Sequence, residues 1–95
     1  MRISTQALSS IRKHIKALVP DSEVFLFGSR TNDSLKGGDI DLLLLTPEKV
    51  PLMLLNHARR LILNDIGEQK IDLVNFRKTD EHPFKNVAME SAVRL

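Results

Sequence analysis

Apolar residues recur at spacings of three and four from Leu8 through Ile11 and Ile15 to Leu18, one helical stripe. Ser4 stands where that helix needs a cap and Pro20 where it must stop. Arg12, Lys13 and Lys16 fall off the stripe and read as a solvated basic face. The period then changes. Glu23-Val-Phe-Leu-Phe27 is short, β-prone and closed by Gly28, which predicts a first strand. Ser29 to Gly38 is polar and ends on Gly37-Gly38, which predicts a loop. Ile40 to Leu45 is an almost continuous apolar run, the pattern of a strand covered on both faces. Thr46-Pro47 is expected to cap and open the next helical region. Its stripe runs Leu52, Leu55, Ala58, Leu61, Ile62 and ends near Gly67, a C-cap. Lys70 to Phe76 predicts a third strand. Asp80, with Pro83 behind it, is expected to start a last helix through Phe84, Val87, Ala88 and Ala92.

The order is αββαβα. The second strand, the long helix and the third strand make a βαβ unit, whose strands should be parallel. The first strand returns to the second through about ten residues, a length that permits antiparallel pairing. The expected product is an α/β fold: a small mixed sheet of about three to four strands flanked by helices. With 95 residues and no internal linker, 1–95 is read as a single domain.

Composition narrows the function classes. Without cysteine there is no disulfide, no Cys-based zinc site and no thiol nucleophile. Without tyrosine the chain cannot be modified on its own tyrosine, and phenylalanine supplies every aromatic contact. No apolar run approaches the ~20 residues that span a bilayer, and Met1-Arg2 leads into Ser and Thr with no apolar signal core. The chain is therefore read as cytoplasmic, without a membrane partner. A net charge of +2 suits a phosphate ligand but does not mark a nucleic-acid binder, and no aromatic stacking platform supports one.

The candidate chemistry lies at strand ends. Asp39 and Asp41 alternate past Ile40, so on a strand they share a face, about 6.5–7 Å apart. Taken alone, such a pair reads more readily as a wet strand end. Asp72, in Lys70-Ile-Asp-Leu-Val74, opens another strand. Taken alone, it serves equally as a salt-bridge partner of Lys70 or Arg77. In a parallel βαβ unit both strand starts share one sheet edge, so the three carboxylates can converge. Carboxylate oxygens in that setting suit Mg²⁺ or Mn²⁺ shared with substrate phosphates. Gly28-Ser29-Arg30 follows the first strand. The glycine admits close backbone approach, Ser29 brings a hydroxyl and an N–H, and Arg30 can fork onto phosphate oxygens. His14, His57 and His82 are scattered and read as surface or cap residues.

Three separated pieces agree in order and setting: Phe25-Leu-Phe-Gly-Ser-Arg30, Gly38-Asp-Ile-Asp-Leu-Leu43 and Ile71-Asp-Leu-Val74. Together they resemble the polymerase-beta-like nucleotidyltransferase superfamily, and most closely its smallest members, the minimal nucleotidyltransferases. The resemblance runs more loosely through His82-Pro-Phe84 to Val93-Arg-Leu95. It implies that Gly28 and Ser29, with Arg30 helping, hold the triphosphate of ATP or another NTP. It implies that Asp39 and Asp41 bind two Mg²⁺ ions, Mn²⁺ being an alternative, and that Asp72 supports one metal and activates an acceptor hydroxyl. The implied reaction moves an NMP, AMP first among them, to a hydroxyl and releases pyrophosphate. The implied partner is a small helical HEPN-domain protein, with this chain as the antitoxin of a toxin–antitoxin pair that modifies its partner's tyrosine. Self-association stays open.

A rival of another class is a module that keeps the fold and neutralises a partner by contact alone. Leu52-Met-Leu-Leu55 bears on it. That stretch is apolar around more than one helix face, and deep burial and a partner surface remain equal readings of it.

Overall fold

The computed structural model describes residues 3–28, 39–67 and 69–95. Helix α1, Thr5–Leu18, begins where Ser4 Oγ accepts the Ala7 N–H at 3.0 Å. Its stripe buries Ala7, Ile11 and Ile15, while Leu8 and Leu18 lie half-buried at its margin. Strand β1 covers Glu23–Phe27, β2 Ile40–Thr46 and β3 Ile71–Arg77. Helix α2, Leu52–Ile66, links β2 to β3 and ends at Gly67, whose N–H returns to Leu63 O at 2.9 Å. Helix α3, Pro83–Ser91, is followed by a two-residue strand β4, Val93–Arg94, which pairs antiparallel with β1. The sheet order is β3-β2-β1-β4, with β1 antiparallel and β3 parallel to β2.

Side-chain alternation divides the core. Val24, Leu26, Ile40, Leu42 and Leu44 face α1 and α2, packing on Ile11, Ile15, Leu55, Ala58 and Ile62. Phe25, Leu43 and Leu45 face α3 and pack around Ala88. Strand β2 is therefore covered on both sides, which is why it reads as unbroken leucine. Leu42, Leu43 and Leu44 are fully buried, each contributing on the order of 1.5–3 kcal/mol. Asp65 ties α1 to α2: Ser10 Oγ and His14 Nε2 both lie 2.8 Å from its Oδ2.

Two helix starts differ from expectation. Thr46 does not open α2; it is the last residue of β2, and α2 starts at Leu52 with Pro51 as its cap residue. The buried Asn75 amide explains the delay. Its Nδ2 donates to Leu44 O and Thr46 Oγ1, and its Oδ1 accepts the Val50 N–H at 2.8 Å. Those bonds tie the β2–α2 connection to β3. Asp80 does not cap α3 either. It turns back onto Arg77, accepting from its N–H at 2.9 Å and its Nε at 3.0 Å. His82 caps α3 instead, its Nδ1 accepting the Phe84 N–H, with Pro83 in the first turn. No described helix is long and apolar enough to cross a membrane.

Candidate active site

Parallel pairing sets Asp41 directly opposite Asp72, and antiparallel pairing sets Phe27, the last residue of β1, opposite Asp41. The end of β1 and the starts of β2 and β3 thus meet at one sheet edge. Asp41, Asp72 and Val74 share the α3 face of the sheet, as Leu43 and Phe76 do further along.

Gly28 follows immediately with φ +76°, a conformation that side-chain-bearing residues rarely adopt. A Cβ built there would run into the Asp41 carboxylate. The glycine is needed twice over, for the turn and for the space the carboxylate occupies.

The Asp41 carboxyl is held above the ordinary carboxylate range. Burial is the largest cause; the negative charges of Asp72 and Asp39 and a hydrogen bond with Asp72 add to it, and Lys70 opposes it. Two carboxylates in hydrogen-bond contact need a proton or a cation between them. Lys70 does not serve Asp72: its Nζ lies 3.5 Å from Asp39 Oδ2. Arg77 does not either, being paired with Asp80 at 2.9 Å. Neither salt bridge open to Asp72 from the sequence is made.

Of the three sequence-predicted carboxylates the fold joins Asp41 and Asp72 and leaves Asp39 beside them, engaged by Lys70. Among the described residues no three His, Cys, Asp or Glu side chains are placed to hold a metal ion together. The donor set is all oxygen, which suits a hard divalent cation such as Mg²⁺. Such an ion would be held by Asp41 and Asp72, with Asp39 next in line. Ser29 and Arg30 lie outside the described residues.

A cleft of about 540 Å³ opens from the pair. One wall is α2, through Leu52, Asn56 and Arg59; the floor is Asp72, Leu73 and Val74 of β3; the far wall is Phe27, Asp41 and Phe84. Phe84 is fixed by an edge-to-face contact with Phe27 at 5.8 Å and by Phe76 at 6.3 Å. Asn56, Arg59 and Phe84 are cleft residues that sequence reasoning did not single out as chemistry. The 3.6-residue period from Leu52 through Asn56 to Arg59 was the available signal. The apolar stretch at the start of α2 divides: Leu55 is buried, whereas Leu52 and Met53 are 71% and 86% exposed.

Solved structures share this fold. A toxin–antitoxin structure with AMP-PNP aligns with a TM-score of 0.75 at 16% identity, over 90% of this chain and 69% of the other. A complex of MntA with HpeT carrying two Asp-to-Glu replacements aligns at 0.74 and 14% identity, over 90% and 69% of the two chains. The tri-AMPylated Shewanella oneidensis HEPN toxin in complex with MNT antitoxin aligns at 0.70 and 17%, over 95% and 71%. No curated protein matches the sequence. The nucleotidyltransferase domain model matches residues 8–95, a span that takes in Gly28, all three carboxylates, most of α1 and each later described helix and strand. The chain therefore belongs to the nucleotidyltransferase domain family.

Proposed function

We propose that this chain is a Mg²⁺-dependent minimal nucleotidyltransferase that moves AMP from ATP to a hydroxyl on a partner protein. The observation that carries the reading is the registered Asp41–Asp72 pair with Gly28 cleared against it. In the reaction the acceptor oxygen attacks the α-phosphorus, the bond to the bridging oxygen breaks, and pyrophosphate leaves with that electron pair. Asp72, on the outer strand, takes the hydroxyl proton. Gly28 and Ser29 bind phosphate oxygens, and Arg30 neutralises part of their charge. Divalent cations, when bound at the carboxylates, supply charge stabilisation on the transferring phosphoryl group. The rest of the catalysis is positioning.

The solved complexes of the same fold support AMP as the group and a helical HEPN-type protein as partner, with this chain as the antitoxin. One of them holds AMP-PNP and another a tri-AMPylated HEPN toxin. A partner also answers a need of this chain, which has no tyrosine. The exposed Leu52 and Met53 offer a docking surface that serves this reading and also the second one, neutralisation by contact alone.

Titration calorimetry with ATP, with and without Mg²⁺, tests the site. Affinity should need metal, fall in Asp39→Asn and Asp41→Asn, and weaken in Ser29→Ala. Label from [α-³²P]ATP should appear on a co-expressed partner and vanish when its tyrosines become Phe. Metal-independent binding sinks the proposal. Neutralisation without any label establishes the second reading.

A further inference from the structure

Helix α2 carries two neighbouring stripes on its solvent side, and they are built alike. One is Leu52, Asn56 and Arg59, the α2 wall of the active-site cleft. The next is Met53, Asn56, His57 and Arg60, which line a hollow of about 230 Å³. Spacings of three, four and seven put each set on one line along the helix. Each line opens on an apolar residue and closes on a guanidinium two turns later, about 10 Å away. Asn56 belongs to both, so the hollow continues into the cleft that holds Asp41 and Asp72.

Both ends of this face are left over by the fold. Leu52 and Met53 are the most exposed of the large apolar side chains described, whereas Leu55 and Ala58 of the same helix fill the core. Methionine is the flexible, polarisable side chain common at docking surfaces. Arg59 makes one long contact, 3.4 Å from Nη2 to Asn56 Oδ1. Among the described residues no carboxylate forms an ion pair with Arg59 or Arg60. Residues 52–60 contain no acid at all. Asp65, further along α2, is tied to Ser10 and His14 of α1.

We infer that this face docks a helix of the acceptor protein, one that lays apolar side chains over Leu52 and Met53 and carboxylates over Arg59 and Arg60. The inference rests on the transferase reading above and names the surface and the partner chemistry that bring a hydroxyl to the cleft. A helix laid along α2 matches the two-turn spacing of its apolar and basic ends turn for turn. Carboxylate on guanidinium is a bidentate match, and apolar cover beside it excludes water. A second copy of this chain does not fit. Paired with itself about a twofold axis, the face brings four guanidinium groups into one interface and no carboxylate of its own. Nucleic acid would satisfy the arginines and leave Leu52 and Met53 against phosphate. Because Asn56 joins hollow and cleft, the segment leaving the docked helix enters the cleft beside Asp72.

Fluorescein-labelled, lactam-stapled helical peptides test this on the full chain by anisotropy. One carries Leu on a single stripe with Glu two turns further along. A second has Lys in place of Glu. A third keeps the composition of the first with its Glu residues turned to the opposite face. The first should bind at least tenfold tighter than either of the others, and should weaken as salt is raised. Arg60→Glu, an exposed change whose fold is checked by circular dichroism, should reverse the Glu–Lys order. Met53→Glu should cost the Glu peptide at least tenfold. The same peptides with a Tyr-bearing tail are then incubated with [α-³²P]ATP and Mg²⁺, and label should follow binding. Peptide binding that is absent, or indifferent to charge and to face, overturns the inference. So does a dimer of this chain that Met53→Glu dissolves, or a single-stranded RNA that binds tighter than the Glu peptide and is lost in Arg60→Glu. Equal labelling of all three tailed peptides overturns it while leaving the transferase reading standing. Selective binding with no label on any peptide or partner supports the face and refutes the transferase reading instead.

Discussion

Two glycines share a positive φ and differ in what surrounds them, which makes them a useful pair. Gly28 has φ +76° and Gly67 has φ +83°. Alanine at either position brings the cost of a sparsely populated positive-φ backbone, on the order of 1–3 kcal/mol. For a domain of this size each should lower Tm by roughly 4–8 °C per kcal/mol. The surroundings then separate them. A Cβ at Gly67 meets nothing within 4 Å, whereas a Cβ at Gly28 overlaps the Asp41 carboxylate. In Gly28→Ala either that carboxylate or the turn must move. A displacement near 1 Å at a reacting centre costs about 10²-fold in rate. Thermal melts of both variants should show comparable losses of Tm. Calorimetry with Mg²⁺–ATP and turnover on the partner should show a collapse for Gly28→Ala and little change for Gly67→Ala. If Gly28→Ala keeps the affinity and rate of the parent, Asp41 is not where the nucleotide and its metal sit. If Gly67→Ala loses as much, the effect is general destabilisation and the steric reasoning is refuted.

Asp72→Asn should lower turnover at least a hundredfold and Mg²⁺–ATP affinity far less, because it removes the base while Asp41 and Asp39 keep their hold on the metal; equal losses in both measurements would return Asp72 to the nucleotide side. Asn75→Ala should cost about 1–3 kcal/mol by leaving the Val50 N–H and Leu44 carbonyl short of a partner, read as a fall in Tm with the helix content intact. Asp65 gives a pH dependence with a definite sign. The Ser10 hydroxyl, then His14, hold its carboxyl below the ordinary value of 3.8. A carboxyl depressed in the folded state adds stability above its unfolded pKa and loses it as pH falls through the folded one. The Tm gap between the parent and Asp65→Asn should therefore be full at pH 5–7 and shrink below about pH 3.8; a gap that is constant from pH 7 to pH 3 would show that the charge on Asp65 does nothing.

Local pattern was enough for much of the fold. The stripe of α1, the Ser4 cap, the Gly67 stop and the bounds of β1 follow from period and end signals, which act over a few residues. The unbroken leucines of β2 announced burial on both faces, and a βαβ order made β2 and β3 parallel. From that pairing the starts of β2 and β3 were already legible as one sheet edge, so Asp39, Asp41 and Asp72 could be expected to converge there.

What stayed hidden depends on residues far apart in the chain. Thr46-Pro47 is a sound helix opening by local chemistry, but Asn75, 29 residues on from Thr46, ties that connection to β3. Asp80 is a sound cap, but Arg77 claims it first. Strand β4 is two residues long and exists only because β1 presents an edge to it. The same holds for the site. Charge and spacing could propose three converging carboxylates; only packing could pair Asp41 with Asp72 while Lys70 engages Asp39. Only packing, too, could bring Arg59 and Phe84, from helices on opposite faces of the sheet, to the rim of one cleft. Period and capping are one-dimensional, so a sequence displays them. The company a side chain keeps is set by which surfaces the sheet brings together, and no local signal carries that.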